Sequence, residues 1–365
     1  MTTIVVAGAL ANKHRHGGSQ WVRMSWAEGL ARLGFKVVFC ERLHPGGDRR
    51  AFERAMRLLH MPGALLDGDR VHGMERSELE HHLETSSLLV NLSGHLRDPH
   101  LTRRCRLRAF VDLDPGYTQI WHDQGHDVGL ADHHLHLTVG ANVGTRHAML
   151  PDCGVRWIAV RQPVVLERWP ANGDGFSGFT TVASWRGAFG PVSWNGRTHG
   201  VKAHQFRTFA GVPQATGLPF AIALDLHPAD TADRDRLAGA GWSLLHPDRV
   251  ATPARFARFV RTSGAEFSVA QGVYVETRSG WFSDRTVRYL ASGRPVLVQD
   301  TGFSRTIPVG EGLLTFSTPG EAAVRARQLV ADHARHGAAA RALAEHLFAP
   351  ERALAPLIAA SGVAP

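Results

Sequence analysis

The sequence predicts an α/β protein made of two doubly wound parallel-sheet domains that face each other across a cleft. Two observations support this fold class: a complete strand–helix–strand unit opens the chain, and a second alternation of similar length begins at Phe179. Residues 162–178, which are rich in proline, glycine and asparagine, separate the two alternations. Such a composition is typical of a linker, so we expect domains over residues 1–165 and 179–340.

The first alternation begins with Thr3–Ala7, a short, β-branched run that predicts a buried strand. A polar loop through Gly17 and Gly18 is expected next, followed by a helix over residues 20–33 with apolar side chains at helical spacing. Gly34 ends this helix and residues 36–40 form the next strand, which together make a right-handed βαβ unit. Further helices are expected over 48–60 and 76–84, and further strands over 87–92, 107–111, 134–138 and 155–159.

The second alternation starts with a strand over residues 179–183. Its later strands are predicted over 220–224, 242–245, 265–270, 295–298 and 313–316. Helices are predicted over 201–210, 230–239, 253–262 and 283–292. The chain from Gly320 onward is rich in alanine and arginine and reads as helical, and we expect the tail 341–365 to pack back on the N-terminal domain.

Composition limits the classes of partner. The 365 residues are 44% hydrophobic and 20% charged, as in a globular protein, and carry a net charge of +8. The basic residues are spread without a block, which favours a phosphorylated small molecule over nucleic acid as the anionic partner. The opening residues have no basic leader and no stretch reaches 18 apolar residues, so we expect a cytoplasmic protein without a membrane span. The cysteines Cys40, Cys105 and Cys153 are expected to be reduced thiols.

Two segments resemble a known family. His16-Gly17-Gly18-Ser19-Gln20 with the helix end at residues 30–37, and residues 282–297 with their Ser-Gly-Arg-Pro-Val exit, are similar to motifs of the "group 1" glycosyltransferases of the GT-B fold. The resemblance implies two Rossmann-like domains with the donor diphosphate held by the C-terminal one. It also implies transfer of a sugar from a nucleotide diphosphate-sugar to a hydroxyl or amine of a small-molecule or glycan acceptor, without a metal or another cofactor.

One departure from the family matters. Retaining members carry two glutamates on this segment, and the matching positions here are Gly280 and Arg288. The retaining mechanism therefore does not carry over, and the sugar, the nucleobase and the stereochemical outcome stay open, as does the oligomeric state. A nucleotide-sugar epimerase or hydrolase, or a catalytically inactive nucleotide-sugar-binding protein, remain alternatives. A dehydrogenase is disfavoured because no Gly-x-Gly-x-x-Gly opens either alternation.

The start of the helix over 283–292 is the first candidate donor site. Ser283 is a good N-cap residue, and the backbone N–H groups of Asp284, Arg285 and Thr286 would point at an anion. Arg285 and Thr286 can add a charged contact and a hydroxyl contact to a diphosphate. The alternative is an ordinary capped helix with a solvated arginine.

Other candidate donor contacts follow from strand ends and from the resemblance. Lys202 and Arg186 lie where the family keeps a lysine and an arginine against the donor phosphates, although a surface lysine is the ordinary alternative. Asp300 and Gly302 follow a predicted strand at its carboxyl end, where open α/β sheets bind ligands, or else form a plain turn. The remaining candidates are Glu311, which we expect at the ribose, and Gly17 and Gly18, which line the cleft in the family.

For the catalytic base we expect His16 or Asp114. A histidine has an unperturbed pKa near operating pH, and Asp114 follows a predicted strand, although exposure and turn chemistry are the ordinary roles of such residues. His122 and His126 have the spacing of a metal-binding pair, but Gly125 interrupts the helix between them and chance pairs are common among 22 histidines. We therefore expect no metal.

Overall fold

The chain divides into two units in the computed structural model, which describes residues 1–171 and 175–365. The first unit comprises Met1–Gly144, Pro151–Val165 and Leu347–Pro365, and the second comprises Thr145–Leu150 and Leu166–His346. No helix in the described part is long and apolar enough to cross a membrane. The three cysteines form no disulfide.

The first unit contains an eight-stranded sheet in the order β4-β3-β2-β1-β5-β6-β7-β8. All neighbouring strands are parallel except β3 and β4, which form an antiparallel pair at one edge. Strand order reverses at β1, so the carboxyl ends of β1 and β5 flank the place where open α/β sheets bind ligands. The strands are β1 (Thr3–Ala7), β2 (Lys36–Arg42), β3 (Gly63–Asp67), β4 (Arg70–His72), β5 (Leu88–Leu92), β6 (Arg108–Asp112), β7 (Leu135–Thr138) and β8 (Trp157–Ala159).

Five helices connect these strands, and the first is covered on nearly every side. Trp26 lies in the middle of this helix, is fully buried, and donates its indole N–H to Gln162 Oε1 at 3.2 Å. A helix buried all round is a core element, which explains why its apolar stripe is broad. The helices are α1 (Gly17–Arg32), α2 (Arg49–Leu59), α3 (Arg76–Thr85), α4 (Pro99–Thr102) and α5 (Tyr117–Asp123).

The second unit contains a six-stranded, all-parallel sheet in the order β13-β12-β9-β14-β15-β16. Counted within the sheet this is 3-2-1-4-5-6, the order of a Rossmann-type doubly wound domain, with its switch point between β9 and β14. A separate antiparallel hairpin, β10–β11, follows the first strand. The strands are β9 (Phe179–Ser184), β10 (Val192–Trp194), β11 (Arg197–His199), β12 (Phe220–Asp225), β13 (Trp242–Leu245), β14 (Ala265–Ser268), β15 (Val296–Gln299) and β16 (Leu313–Phe316).

Helices surround this second sheet, and two more close the chain in the first unit. Those of the second unit are α6 (Lys202–Phe209), α7 (Val212–Thr216), α8 (Thr231–Gly239), α9 (Pro253–Arg261), α10 (Gly272–Glu276), α11 (Asp284–Ala291), α12 (Pro319–Ala331) and α13 (His333–Leu347). The last two, which belong to the first unit, are α14 (Pro350–Ala353) and α15 (Ala355–Ser361).

Aromatic side chains dominate the core of the second unit. Phe179 stacks on Phe220 with ring centroids 4.7 Å apart, and Phe267 stacks on Phe316 at 5.0 Å. Trp242 packs against Phe220 at 5.2 Å. Offset and edge-on ring pairs add to the stability that burial alone provides, so the core fixes the register of strands whose carboxyl ends carry the polar residues described below.

The prediction of two parallel-sheet α/β units is confirmed, and most predicted strands and helices lie within two residues of their observed bounds. The expected loop through Gly17 and Gly18 was wrong, because both residues belong to the first turn of α1. Sequence patterns also missed β3, although it is a buried and largely apolar strand of five residues, and the short elements β4, β10, β11, α4, α5, α7 and α10. The predicted linker over 162–178 includes the unit boundary after Val165 and the three residues outside the described part, but Val164 and Trp169 within it are fully buried.

Candidate functional site

The switch point of the second unit is bridged by one side chain. Strands β9 and β14 pair at only two positions and then diverge. The guanidinium of Arg285 spans the gap: Nη1 donates to Val182 O on β9 at 2.6 Å, and Nη2 donates to Ser268 Oγ on β14 at 2.7 Å. Its Nε donates to Glu266 Oε1 at 2.6 Å. Each guanidinium nitrogen of Arg285 therefore donates to a protein acceptor, and we treat the side chain as a group that positions the site.

Lys202 supplies a second positive charge beside this arginine. It is the first residue of α6, is half-buried, and makes no hydrogen bond or ion pair through its side chain within residues 1–171 and 175–365. Burial and, to a lesser degree, the positive charge of Arg285 together lower the pKa of Lys202 to about 7, although Glu266 and Asp284 act in the opposite direction. An anion at this place would favour the charged form of the lysine.

The N-terminus of α11 offers several unused donors. Ser283 occupies the N-cap position, but its side chain accepts no capping hydrogen bond. The amides of Asp284, Arg285 and Thr286 have no acceptor among the described residues, as expected for the first turn of a helix. Thr286 is 1% exposed and its Oγ1 also lacks a hydrogen-bond partner there. Unused donors at a helix N-terminus are the usual features of an anion site.

A small pocket opens at this helix start, and its empty space, which includes open solvent, is about 210 Å³. Aromatic rings and small polar side chains share its wall. Trp281 stacks on Tyr274 with centroids 4.4 Å apart, which holds the indole in place. The pocket is lined by Ser268, Ala270, Trp281, Phe282, Ser283, Thr286, Val298, Gln299 and Phe303.

Other predicted donor residues of this unit are engaged elsewhere. Asp300 accepts hydrogen bonds from Gly302 N at 2.8 Å and from Ser304 Oγ at 2.5 Å, so it shapes the turn after β15. Gly302 has φ of 94°, which a glycine adopts without strain. Arg186 and Glu311 form ion pairs at the surface. Arg186 binds Asp230 with N–O distances of 2.8 and 3.0 Å, and Glu311 pairs with Arg335.

In the first unit, the turn after β1 already holds a carboxylate. Glu41 Oε2 accepts the amides of Leu10 at 2.7 Å and Ala11 at 2.9 Å, and its Oε1 accepts the amide of Asn12 at 2.9 Å. Burial raises the pKa of Glu41 to about 6, although the three amides act in the opposite direction. The backbone donors that bind phosphate in many doubly wound domains are thus occupied by the protein itself.

The predicted bases lie in the first unit as well. His16 is the exposed N-cap residue of α1, and Gly17 and Gly18 begin that helix, so the glycines do not form the expected loop. Asp114 is half-buried in the turn after β6, and its amide donates to Asp112 Oδ1 at 3.1 Å. The electrostatic coupling of Asp114 to Lys13 places that carboxylate near the turn after β1.

Sequence reasoning missed several charged residues that the fold brings to strand ends. Glu266 lies in the middle of an apolar strand segment and is fully buried, and Glu41 is 1% exposed near the end of β2. A charge inside an apolar run was the available signal. Within residues 1–171 and 175–365 no group of three or more histidine, cysteine, aspartate or glutamate side chains has the arrangement of a metal site.

Comparison with solved structures places this fold among glycosyltransferases. AviGT4, a glycosyltransferase involved in avilamycin A biosynthesis, is 15% identical with a TM-score of 0.57, covering 99% of this chain and 97% of its own. Anabaena HepE in complex with UDP-glucose is 11% identical with a TM-score of 0.64, and both chains are covered completely. Sucrose-phosphate synthase from Thermosynechococcus elongatus is 12% identical with a TM-score of 0.57, covering 99% and 98%.

At these identities the likeness establishes the fold. The chain has the GT-B fold, with a Rossmann-like sheet in each unit, as its sequence motifs predicted. No protein-family model matches the sequence, and no curated protein matches it. What the site does is therefore inferred from its own chemistry.

Proposed function

We propose that the protein is a glycosyltransferase that moves a sugar from a nucleoside diphosphate-sugar to a hydroxyl or amine of an acceptor. The donor diphosphate binds in the second unit at the N-terminus of α11, and no metal ion is required. The fold that this chain shares with AviGT4 and with the UDP-glucose complex of HepE supports the reaction class. The observation that carries the proposal is the buried hydroxyl of Thr286, which has no partner among the residues that the structure describes and lies beside unused amides.

The physical reason is the cost of an unused polar group. A buried hydroxyl without a partner destabilises a protein by about 1–3 kcal/mol, and a ligand that accepts its hydrogen bond recovers that cost. Amides at a helix N-terminus favour an anion, and a diphosphate offers acceptors in the required number. Lys202 adds a positive charge when the anion binds, because that charge raises its pKa from about 7.

These groups supply what glycosyl transfer needs. Negative charge develops on the diphosphate as the bond to the sugar breaks, and oriented amides with Lys202 stabilise that charge. Arg285 links β9 and β14 at the switch point through hydrogen bonds to both strands, and it keeps the helix start in place. Asp114 or His16 accepts the proton of the acceptor. Asp300 and Gly302 form the turn that approaches the sugar. Arg186 and Glu311 contact the donor at the periphery of the site. Gly17 and Gly18 form the first turn of α1, next to His16.

A pair of conservative variants tests the donor site. Thr286→Val removes the unpaired hydroxyl at nearly constant shape, so we expect the unliganded protein to become more stable by about 1 kcal/mol. The same change should weaken binding of UDP or another nucleoside diphosphate by about 1 kcal/mol, since one hydrogen bond to the ligand is lost. Urea unfolding and calorimetric titration measure the two effects.

Ser292→Ala is the matched control. Ser292 is fully buried and its Oγ also lacks a partner among the described residues, but it lies at the opposite end of α11. This variant should gain stability and bind nucleoside diphosphates like the wild type. Equal affinity of the wild type and Thr286→Val for nucleoside diphosphates would show that the diphosphate does not bind at this helix start. A separate assay tests the reaction class: a transferase should convert the donor into products only when an acceptor is added.

A further inference from the structure

The carboxyl edge of the first sheet gathers cations that the proposed donor site does not use. The turn after β1 presents Lys13, and α1 lays Arg23 across the end of β1: a Cβ placed on Gly8 would lie 3.0 Å from Arg23 Cγ. Arg97 follows the end of β5 and donates Nε to Gly94 O at 3.2 Å. With His44 and His95 these residues form what we term the unit 1 basic cluster.

Members of this cluster are close enough to influence one another. Arg23 and Lys13 both lower the pKa of His95, after burial has lowered it most, to about 3. Arg23 also lowers the pKa of Lys13, again second to burial, and Asp114 opposes this shift. The imidazole of His95 is therefore neutral, and the ammonium of Lys13 is held in a field of like charge.

Several polar groups at this edge have no hydrogen-bond partner among the described residues. The side chains of Lys13 and His95 make no hydrogen bond to any described residue. Ser93, at the end of β5, has a left-handed backbone with φ of 53° and a buried Oγ without a partner in that same part of the chain. A strained residue with an unused hydroxyl at a switch point is a common feature of ligand sites.

The amides of Leu10, Ala11 and Asn12 cannot serve a ligand here, because Glu41 already accepts them. We therefore assign the binding of an anion at this edge to side chains. Asp114, whose charge reaches Lys13, supplies the acidic group next to the cluster. A ligand that satisfies both would carry an anionic group for the cations and a hydroxyl for the carboxylate.

We infer that the unit 1 basic cluster binds the acceptor through an oxyanion, a phosphate or a carboxylate, that lies a few atoms from the hydroxyl to be glycosylated. The inference rests on the proposed function and names the class of its acceptor. Lys13 is the central contact, with Ser93 Oγ and His95 as hydrogen-bond partners and Arg23 as the supporting charge. Asp114 then faces the acceptor hydroxyl and takes up its proton as the new glycosidic bond forms and the donor diphosphate leaves.

Three matched small molecules test the acceptor class. Glycerol 3-phosphate, glycerate and glycerol share a three-carbon skeleton and differ in charge. Each is titrated into the full-length protein at saturating UDP, and ligand-observed NMR monitors its binding. Saturating UDP fills the donor site, so any anion that binds in addition must occupy a different site on the protein. We expect glycerol 3-phosphate, glycerate or both to bind at least about tenfold more tightly than glycerol, the size of one charged hydrogen bond. If only glycerol 3-phosphate or only glycerate binds more tightly than glycerol, that result identifies the oxyanion of the acceptor as a phosphate or as a carboxylate.

Lysine variants locate the binding. Lys13→Met should abolish the preference for the anion. If this variant does not fold, Lys13→Arg replaces it in the comparison and should keep the preference, because it retains the positive charge. Lys36→Met, which alters an exposed lysine at the start of β2, should leave it unchanged. Equal binding of all three compounds, or an anion preference that survives in a folded Lys13→Met variant, would overturn the inference. Failure of UDP to bind at all would instead count against the donor site, which the same titration measures separately.

Discussion

Arg285 and Glu266 form a buried ion pair across the switch point of the second sheet, with Nε and Oε1 2.6 Å apart. The side chain of Glu266 is fully buried and that of Arg285 is 11% exposed. Val182 O and Ser268 Oγ accept hydrogen bonds from the two Nη atoms of the guanidinium and offset part of the cost of burying two charges, while Glu266 Oε2 has no partner among the described residues. The pair holds the start of α11 over the carboxyl ends of β9 and β14, where the diphosphate is proposed to bind.

Breaking this pair from one side should be far more harmful than removing it. Arg285→Met leaves Glu266 buried without a partner and should lower the free energy of unfolding by about 3–5 kcal/mol. The double variant Arg285→Met/Glu266→Gln should recover part of that loss, because no uncompensated charge remains. Urea unfolding of the three proteins gives the comparison; a double variant as unstable as the single one would show that packing, not charge, sets the effect.

Proton uptake on ligand binding should reveal Lys202. At pH 8 the free lysine, with a pKa of about 7, is mostly neutral, and a bound diphosphate raises that pKa and draws in a proton. The affinity for UDP should therefore fall as pH rises above about 7. Calorimetry in two buffers of different ionisation enthalpy counts the protons. Lys202→Met should lose the uptake, and identical uptake in this variant would assign the titration to another group.

Asp112 should make the first unit less stable as pH rises through mildly acidic values. Burial raises its pKa to about 6, although Gln119, Thr118 and Thr138 donate hydrogen bonds to it and act in the opposite direction. The folded protein then holds a proton that the unfolded chain releases from about pH 4. The free energy of unfolding should fall by up to about 3 kcal/mol between pH 4 and 6.

Asp112→Asn is the comparison for this pH dependence. The amide cannot ionise, so the difference in unfolding free energy between wild type and variant should change over that pH interval and be constant above about pH 7. A difference that does not depend on pH would show that Asp112 is ionised throughout.

The backbone contact between Gly272 and Gly200 should tolerate no side chain. A Cβ on Gly272 would lie 2.8 Å from Gly200 O and 2.9 Å from Glu276 Oε1. Gly272→Ala should therefore destabilise the second unit by about 1–3 kcal/mol. Gly239→Ala, at a helix position with nothing within 4 Å, should be neutral or slightly stabilising. Thermal unfolding of both variants decides whether the first contact is as tight as the distances indicate.

The sequence predicted several central strands because burial on both faces leaves nearly continuous apolar runs, as in Thr3–Ala7 and Val296–Gln299. It missed the hairpin β10–β11, whose three-residue strands carry no such run. Gly17 and Gly18 appeared to be loop residues because glycine disfavours helices, yet Gly17 is buried in the first turn of α1, and tertiary packing prevails over propensity there.

The sequence proposed residues 283–286 from a helix-start pattern, which depends on neighbouring residues in the chain, and Lys202 from the family resemblance. The partner of Arg285 lies 19 residues away, and the acceptor Val182 O lies 103 residues away. Sequence spacing does not reveal such contacts, so the change of Arg285 from a donor ligand to a positioning residue required the fold. The unit 1 basic cluster depends in the same way on the adjacency of β1 and β5.

A crystal structure of the protein with UDP measures the central claim most directly. The account predicts a phosphate oxygen within about 3 Å of the amide nitrogen of Arg285 or Thr286, with Thr286 Oγ1 donating to the same group. A diphosphate bound anywhere else, with the start of α11 left unchanged, would contradict it.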